Sequence, residues 1–187
     1  MKRAIILHGM PSEEEYFDLS ALKPTESHWL PWLKRELKER GIVAETPAFP
    51  RPYEPDYEKW KQKFEEYAPD EGTMLIGHSC GAGFLVRYLS EHRIRVGKVV
   101  LVAPWLDPDK GRAPKFFDFT MDENMAERTD GMTVFVSLDD DEEILVSAEQ
   151  IRKGIKDVSL REFTDKGHFT SGQMHSQEFP ELLSVLV

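Results

Sequence analysis

The chain predicts a three-layer α/β/α fold built on a mostly parallel sheet. Three observations point there. Short apolar, β-branched runs alternate with amphipathic helical patterns along most of the 187 residues, as strands covered by helices on both faces require. The run Val99-Val100-Leu101-Val102-Ala103 is apolar throughout, as a strand buried on both sides must be. No repeat or low-complexity linker divides the sequence, so residues 1–187 read as a single domain with a sizeable core.

The first strand is Ala4-Ile5-Ile6-Leu7. A helix follows over Trp29 to Arg40, with Trp29, Leu30, Leu33 and Leu37 on one face, Gly41 as its stop and Ser27 as its expected cap. Ile42 to Thr46 reads as the second strand. The proline-rich link from Pro47 to Pro55 excludes both helix and central strand. Asp56 is placed to cap a helix carrying Trp60, Phe64 and Tyr67. Thr73 to Ile76 is a strand, and Gly83 to His92 a helix. Val96 to Ala103 is the next strand. Pro104 to Gly131 is irregular and holds Trp105, Phe116, Phe117 and Phe119. Thr133 to Ser137 is a strand and Ser147 to Gly154 a short helix. Val158 to Phe163 alternates, as an edge strand does, and Pro180 to Val187 closes the chain as a helix.

Composition narrows the class of function. The formal net charge is −10, which argues against a nucleic-acid or anionic-membrane surface. A single cysteine permits no internal disulfide and suits a reducing compartment, so the expected location is cytoplasmic. The N-terminal apolar stretch is too short for a signal peptide, and no run is long enough to span a bilayer. No Cys or His pair has zinc spacing, and the acidic run from Asp139 to Glu143 lacks the alternation and central glycine of a calcium loop. No metal is expected.

One segment carries chemistry. Gly77-His78-Ser79-Cys80-Gly81 joins a strand to a helix with a serine at the apex. Glycines on either side leave room for a tight turn, and a serine so exposed is a candidate nucleophile once a base and an anion site stand beside it. The Cys80 N–H opens the helix, where unpaired donors favour negative charge. Met10 N–H, beyond the first strand, lies at the same sheet edge; Pro11 has no N–H to offer. Met10 and Cys80 are therefore the expected oxyanion donors. Loops at the carboxyl ends of later strands supply Asp139, Asp140 and Asp141, then His168. The order Ser, Asp, His fits a nucleophile elbow with base and orienting acid. Trp105 and Phe117 lie in a loop expected to overhang Ser79 and line a substrate pocket. His8 and His78 read as packing residues, and His28, His92 and His175 as surface.

These residues resemble the small serine hydrolases, compact α/β-hydrolases of the family that includes retinoblastoma-binding protein nine. The resemblance runs through His8-Gly9, Trp29-Leu30-Pro31-Trp32-Leu33, Pro47-Ala48-Phe49-Pro50, Trp60, Gly77 to Gly81, Ala103-Pro104, Ser137-Leu138-Asp139-Asp140 and Gly167-His168-Phe169. It implies a minimal α/β-hydrolase fold with about six parallel strands, no large cap domain and no cofactor. It also implies a small-molecule acyl substrate, an ester, thioester or small amide, cleaved through an acyl-enzyme. Ser79 would be the nucleophile and His168 the base. Asp140, three residues past Ser137, would be the acid, with Asp139 and Asp141 as alternatives. The chain departs from the family where Asp141-Glu142-Glu143 lengthen the acidic loop, and where Cys80 replaces a bulkier apolar residue. A protein-interaction module with secondary or vestigial hydrolase activity is the alternative, its contact formed by the acidic surface and the aromatic loop from Trp105 to Phe119.

Overall fold

The computed structural model describes residues 2–187. Six strands form one all-parallel sheet: β1 (Arg3–Leu7), β2 (Val43–Glu45), β3 (Thr73–His78), β4 (Val99–Val102), β5 (Met132–Ser137) and β6 (Val158–Phe163), in the order β2-β1-β3-β4-β5-β6. Seven helices connect or flank them: α1 (Glu13–Phe17), α2 (Leu30–Glu39), α3 (Tyr57–Glu65), α4 (Cys80–Glu91), α5 (Glu142–Gly154), α6 (Ser171–Met174) and α7 (Pro180–Leu186). The central strands β3 and β4 are buried along their whole length. β6 alternates between covered and exposed positions and lies at the sheet edge, as its sequence pattern requires. None of the described helices is long and apolar enough to cross a membrane.

The chain leaves β1 toward β2 and leaves β3 toward β4, in opposite directions across the sheet. Right-handed crossovers then place α2 on one face and α3 with α4 on the other. Aromatic contacts agree. Trp29, at the start of α2, meets Phe179, at the start of α7, at 6.0 Å between ring centroids. Phe64 of α3 meets Phe84 of α4 at 5.4 Å. Because β1 and β3 are neighbours whose outgoing connections diverge, a crevice opens between their carboxyl ends, where sheets of this kind bind ligands.

Local signals explain most boundaries, and several differ from the expectation, β4 among them, which starts at Val99 rather than Val96. Asp56 caps α3 as expected, accepting a hydrogen bond from the Lys59 N–H at 3.0 Å. Ser27 does not cap α2: its hydroxyl donates to the Lys23 carbonyl at 2.9 Å, closing a 3-10 turn over Pro24–Glu26. Helix α2 starts instead on Pro31 in its first turn, where a missing N–H costs nothing. Helix α4 begins at Cys80 rather than Gly83, because Ser79 itself sits at the cap position. Helix α5 begins at Glu142 rather than Ser147, with Glu142 and Glu143 in its first turn, where the helix dipole favours carboxylates.

Two glycines allow β3 to run directly into α4. A Cβ on Gly77 would lie 2.6 Å from the Ala82 backbone, and one on Gly81 would collide with the His8 carbonyl oxygen. Both obstacles are backbone atoms, so relief requires moving β1 or α4. Gly81→Ala is expected to lower the unfolding free energy by about 1–3 kcal/mol or more, measured by urea denaturation. An unchanged midpoint would contradict this packing.

Candidate active site

Between Gly77 and Gly81 the backbone turns at Ser79 with φ 54° and ψ −119°. A non-glycine residue held in such a region costs about 1–3 kcal/mol. The turn is clamped by three backbone bonds. The Ser79 N–H donates to the Val102 carbonyl at 2.9 Å, while the Ser79 carbonyl accepts from Gly83 at 3.1 Å and Trp105 at 3.2 Å. The side chain stays partly exposed and lines two clefts.

His168 also lines both clefts. Its Nδ1 faces both Asp140 oxygens, at 3.1 and 3.0 Å. The Asp140 side chain is 1% exposed against 24% for His168, so the carboxylate sits beneath the ring. An Nδ1–H donated to Asp140 leaves Nε2 with its lone pair available as a base. Of the three aspartates, Asp140 is the one on the imidazole. Asp139 takes a different part: its Oδ1 accepts from the Ser137 hydroxyl and from the Gly167 N–H at 3.0 Å. These contacts, the Ser137 hydroxyl first, hold its carboxyl below the usual aspartate range. Asp141 is the cap residue of α5, and its N–H donates to Asp140 Oδ1 at 2.7 Å.

Several residues hold the His168 backbone rather than its ring. Ser137 Oγ accepts from the Lys166 N–H at 3.0 Å. Gln173 Oε1 accepts from the His168 N–H at 2.9 Å. The buried His78 donates from Nε2 to the His168 carbonyl at 2.8 Å. His78, Gln173, Ser137 and the structural part of Asp139 are not legible in sequence, since each acts through contacts between distant loops.

Neither Met10 N–H nor Cys80 N–H has a hydrogen-bond partner among the described residues, as donors kept for an anion would not. The Cys80 side chain is buried, which pushes its thiol pKa up; only its backbone is available to the site. Trp105 lines the second cleft, with its Nε1–H on Glu143 Oε2 at 2.8 Å and the Arg112 guanidinium 4.4 Å above the ring. Phe117, expected beside the substrate, lines neither cleft. It packs edge-on against Trp105 at 5.3 Å and fills the space over Gly83, because the close approach of α4 to the 104–117 loop draws it inward. His28, expected at the surface, is half-buried, lines the first cleft and accepts from the Ser171 N–H at 3.3 Å.

The first cleft has a volume of about 540 Å³. Its apolar lining includes Tyr16, Leu19, Leu22, Leu30, Phe49 and Pro52. Residues 11–24 form one wall, a segment that sequence reading passed over because its elements are single turns. The second cleft, about 480 Å³, is lined by Arg112, Asp109, Asp141, Glu142 and Glu143 as well as Trp105.

Three further imidazoles surround the first cleft. Burial lowers the pKa of His78 and His28 from the ordinary value, and that of His8 to about 4. His8 is neutral at pH 7: its Nδ1–H donates to the Gly9 carbonyl at 2.7 Å and its Nε2 accepts from the Phe49 N–H at 3.4 Å.

A family model described as serine hydrolase matches residues 22–187. The protein YdeN of Bacillus subtilis is 26% identical over 175 residues, covering 90% of this chain and 86% of that one. The rat serine hydrolase RBBP9 is 27% identical over 153 residues, covering 79% and 81%. The crystal structure of the B. subtilis ydeN gene product superposes with a TM-score of 0.83 at 25% identity, over 100% of this chain and 97% of that one. The fold also matches XC6422 of Xanthomonas campestris, an α/β serine hydrolase without a lid, at a TM-score of 0.61 and 17% identity, over 98% and 78% of the two chains.

Burial of these imidazoles is expected to make the protein acid-sensitive. Unfolded, His8 takes up a proton as pH falls through 6.5; folded, it resists until about 4. Between those values the unfolded state binds more protons, so the stability present above pH 6.5 is lost as pH falls through this window. The loss from His8 alone is roughly 3 kcal/mol. Urea unfolding from pH 7 to 4 should show this decline, and His8→Asn should make it shallower. An equal slope in the variant would refute the assignment.

Proposed function

The chain belongs to the serine hydrolase family, and from that premise we propose that Ser79, His168 and Asp140 cleave an ester, thioester or small amide through an acyl-enzyme. The reading rests on one observation above the others: His168 presents Nδ1 to both Asp140 oxygens while sharing its clefts with Ser79.

In the first half-reaction His168 Nε2 takes the Ser79 hydroxyl proton as Oγ attacks the carbonyl carbon. The oxyanion forms against the Met10 and Cys80 N–H groups; one such donor is typically worth about 3–4 kcal/mol of barrier. Collapse of the tetrahedral intermediate breaks the bond to the leaving group, which takes the proton from His168. Water then enters, gives a proton to the same nitrogen and attacks the acyl carbon; as the bond to Ser79 Oγ breaks, the oxygen takes that proton back from His168 and the acid is released. Asp140 holds the imidazole in the required tautomer and stabilises the imidazolium, staying ionised itself. No cofactor enters this scheme.

Wild type should label with a fluorophosphonate probe and Ser79→Ala should not. Asp140→Asn should lower kcat by about 10³–10⁴-fold, because the amide favours the wrong tautomer. Asp139→Ala should act mainly on melting temperature, through loss of the acceptor for the Ser137 hydroxyl and the Gly167 N–H. If Asp139→Ala produced the larger kinetic loss, the orienting acid would be a different aspartate.

A further inference from the structure

Two clefts of opposite character meet at Ser79. Met10, Ser79 and His168 belong to both. The first is walled by Tyr16, Leu19 and Leu22 on one side and by Phe49 and Pro52 on the other. The second carries Arg112 with Asp109, Asp141, Glu142 and Glu143. A substrate straddling Ser79 therefore has one part in apolar surroundings and the other in polar ones.

Chemistry decides which part goes where. The departing alcohol or amine and the attacking water occupy the same position in the two half-reactions, on the proton-transfer side of His168. A polar cleft admits both. The acyl group, by contrast, stays covalently attached through both steps and gains from an apolar wall. We infer that the acyl group lies in the first cleft and is apolar and uncharged, with the leaving group departing through the second. This assignment rests on the hydrolase reading above.

Two further observations agree. Leu19 is fully exposed and Leu22 is 59% exposed, although both line the cleft beside the serine. No residue from Pro11 to Pro24 is buried, so no core contact explains these apolar side chains; an acyl chain laid against them would cover them. The charges of the first cleft are Glu15, Asp18 and Lys23, and its three buried-side imidazoles, His8, His28 and His78, are shifted toward the neutral form. One lysine against two carboxylates gives no site for an anionic acyl terminus. The volume of about 540 Å³ lies within the range of small-molecule pockets, which admits a medium chain or an aryl acyl group.

The test uses p-nitrophenyl esters from acetate to octanoate, with p-nitrophenyl hemisuccinate as the anionic counterpart of the butyrate. For wild type, kcat/KM should rise with chain length, by at most about fourfold per methylene. Hemisuccinate should be at least tenfold poorer than butyrate. Leu19→Ser and Leu22→Ser, both at exposed positions, should lower the octanoate-to-acetate ratio at least fivefold, whereas Val43→Ser, on β2 beside Arg3 at the amino end of the sheet and in neither cleft, should not change it. A flat series, hemisuccinate equal to butyrate, or an unchanged ratio in both leucine variants would overturn the inference. So would a rise seen instead with alkyl acetates of lengthening alcohol. Fluorophosphonate labelling separates the two readings. A folded wild type that does not label defeats the hydrolase reading and this one with it; a labelled enzyme with a flat series defeats only the acyl assignment.

Discussion

The whole site depends on how closely the end of β3 and the start of α4 approach β1. Gly77 and Gly81 present no side chain where backbone must pass, and the chain therefore turns from strand to helix in a single residue. That residue, Ser79, is left in a conformation that non-glycine residues rarely adopt. Backbone hydrogen bonds to Val102, Gly83 and Trp105 offset the strain. The same compact turn leaves the first N–H of α4 without a partner and brings it to the edge where Met10 N–H is also free. The exposed serine and the two unpartnered N–H groups thus follow from one packing constraint, independent of any side chain other than the serine.

The histidine is positioned by a different device. β6 is the outermost strand, so its following loop must reach inward past β5 and β4 to bring His168 to the clefts that Ser79 lines. Ser137, Asp139, Gln173 and His78 each bond to the backbone of residues 166–168. The imidazole itself is left to Asp140. Separating the two tasks leaves the ring hydrogen-bonded to Asp140 alone among the described residues while its backbone stays anchored. The neighbouring imidazoles suit this arrangement, since burial favours their uncharged forms and spares the site a nearby positive charge.

The two clefts arise from topology. Diverging connections at β1 and β3 open the crevice, and the segment from Pro11 to Pro24, joining β1 to α2, covers one side of it. The loop after β4, bearing Trp105 and Arg112, covers the other. The contrast between these walls comes from the loops that follow β1 and β4.

The amino-acid order alone determined the layered α/β architecture, the strand–serine–helix elbow, and the succession of Ser79, an aspartate-rich loop at residues 139–141, and His168. Each is written in contiguous residues, through apolar periodicity, glycines flanking a serine, and acid or imidazole just past a strand. Phe117, Ser27 and His28 were misread because their surroundings come from elsewhere: Gly83 draws the phenylalanine inward, a local 3-10 turn occupies the serine, and α6 meets the imidazole. Only the tertiary structure decided which aspartate faces His168, since three adjacent carboxylates differ by loop direction and not by chemistry. It alone revealed the apolar cleft, because the single-turn elements of residues 11–24 have no periodicity to read and take their meaning from the serine they overhang.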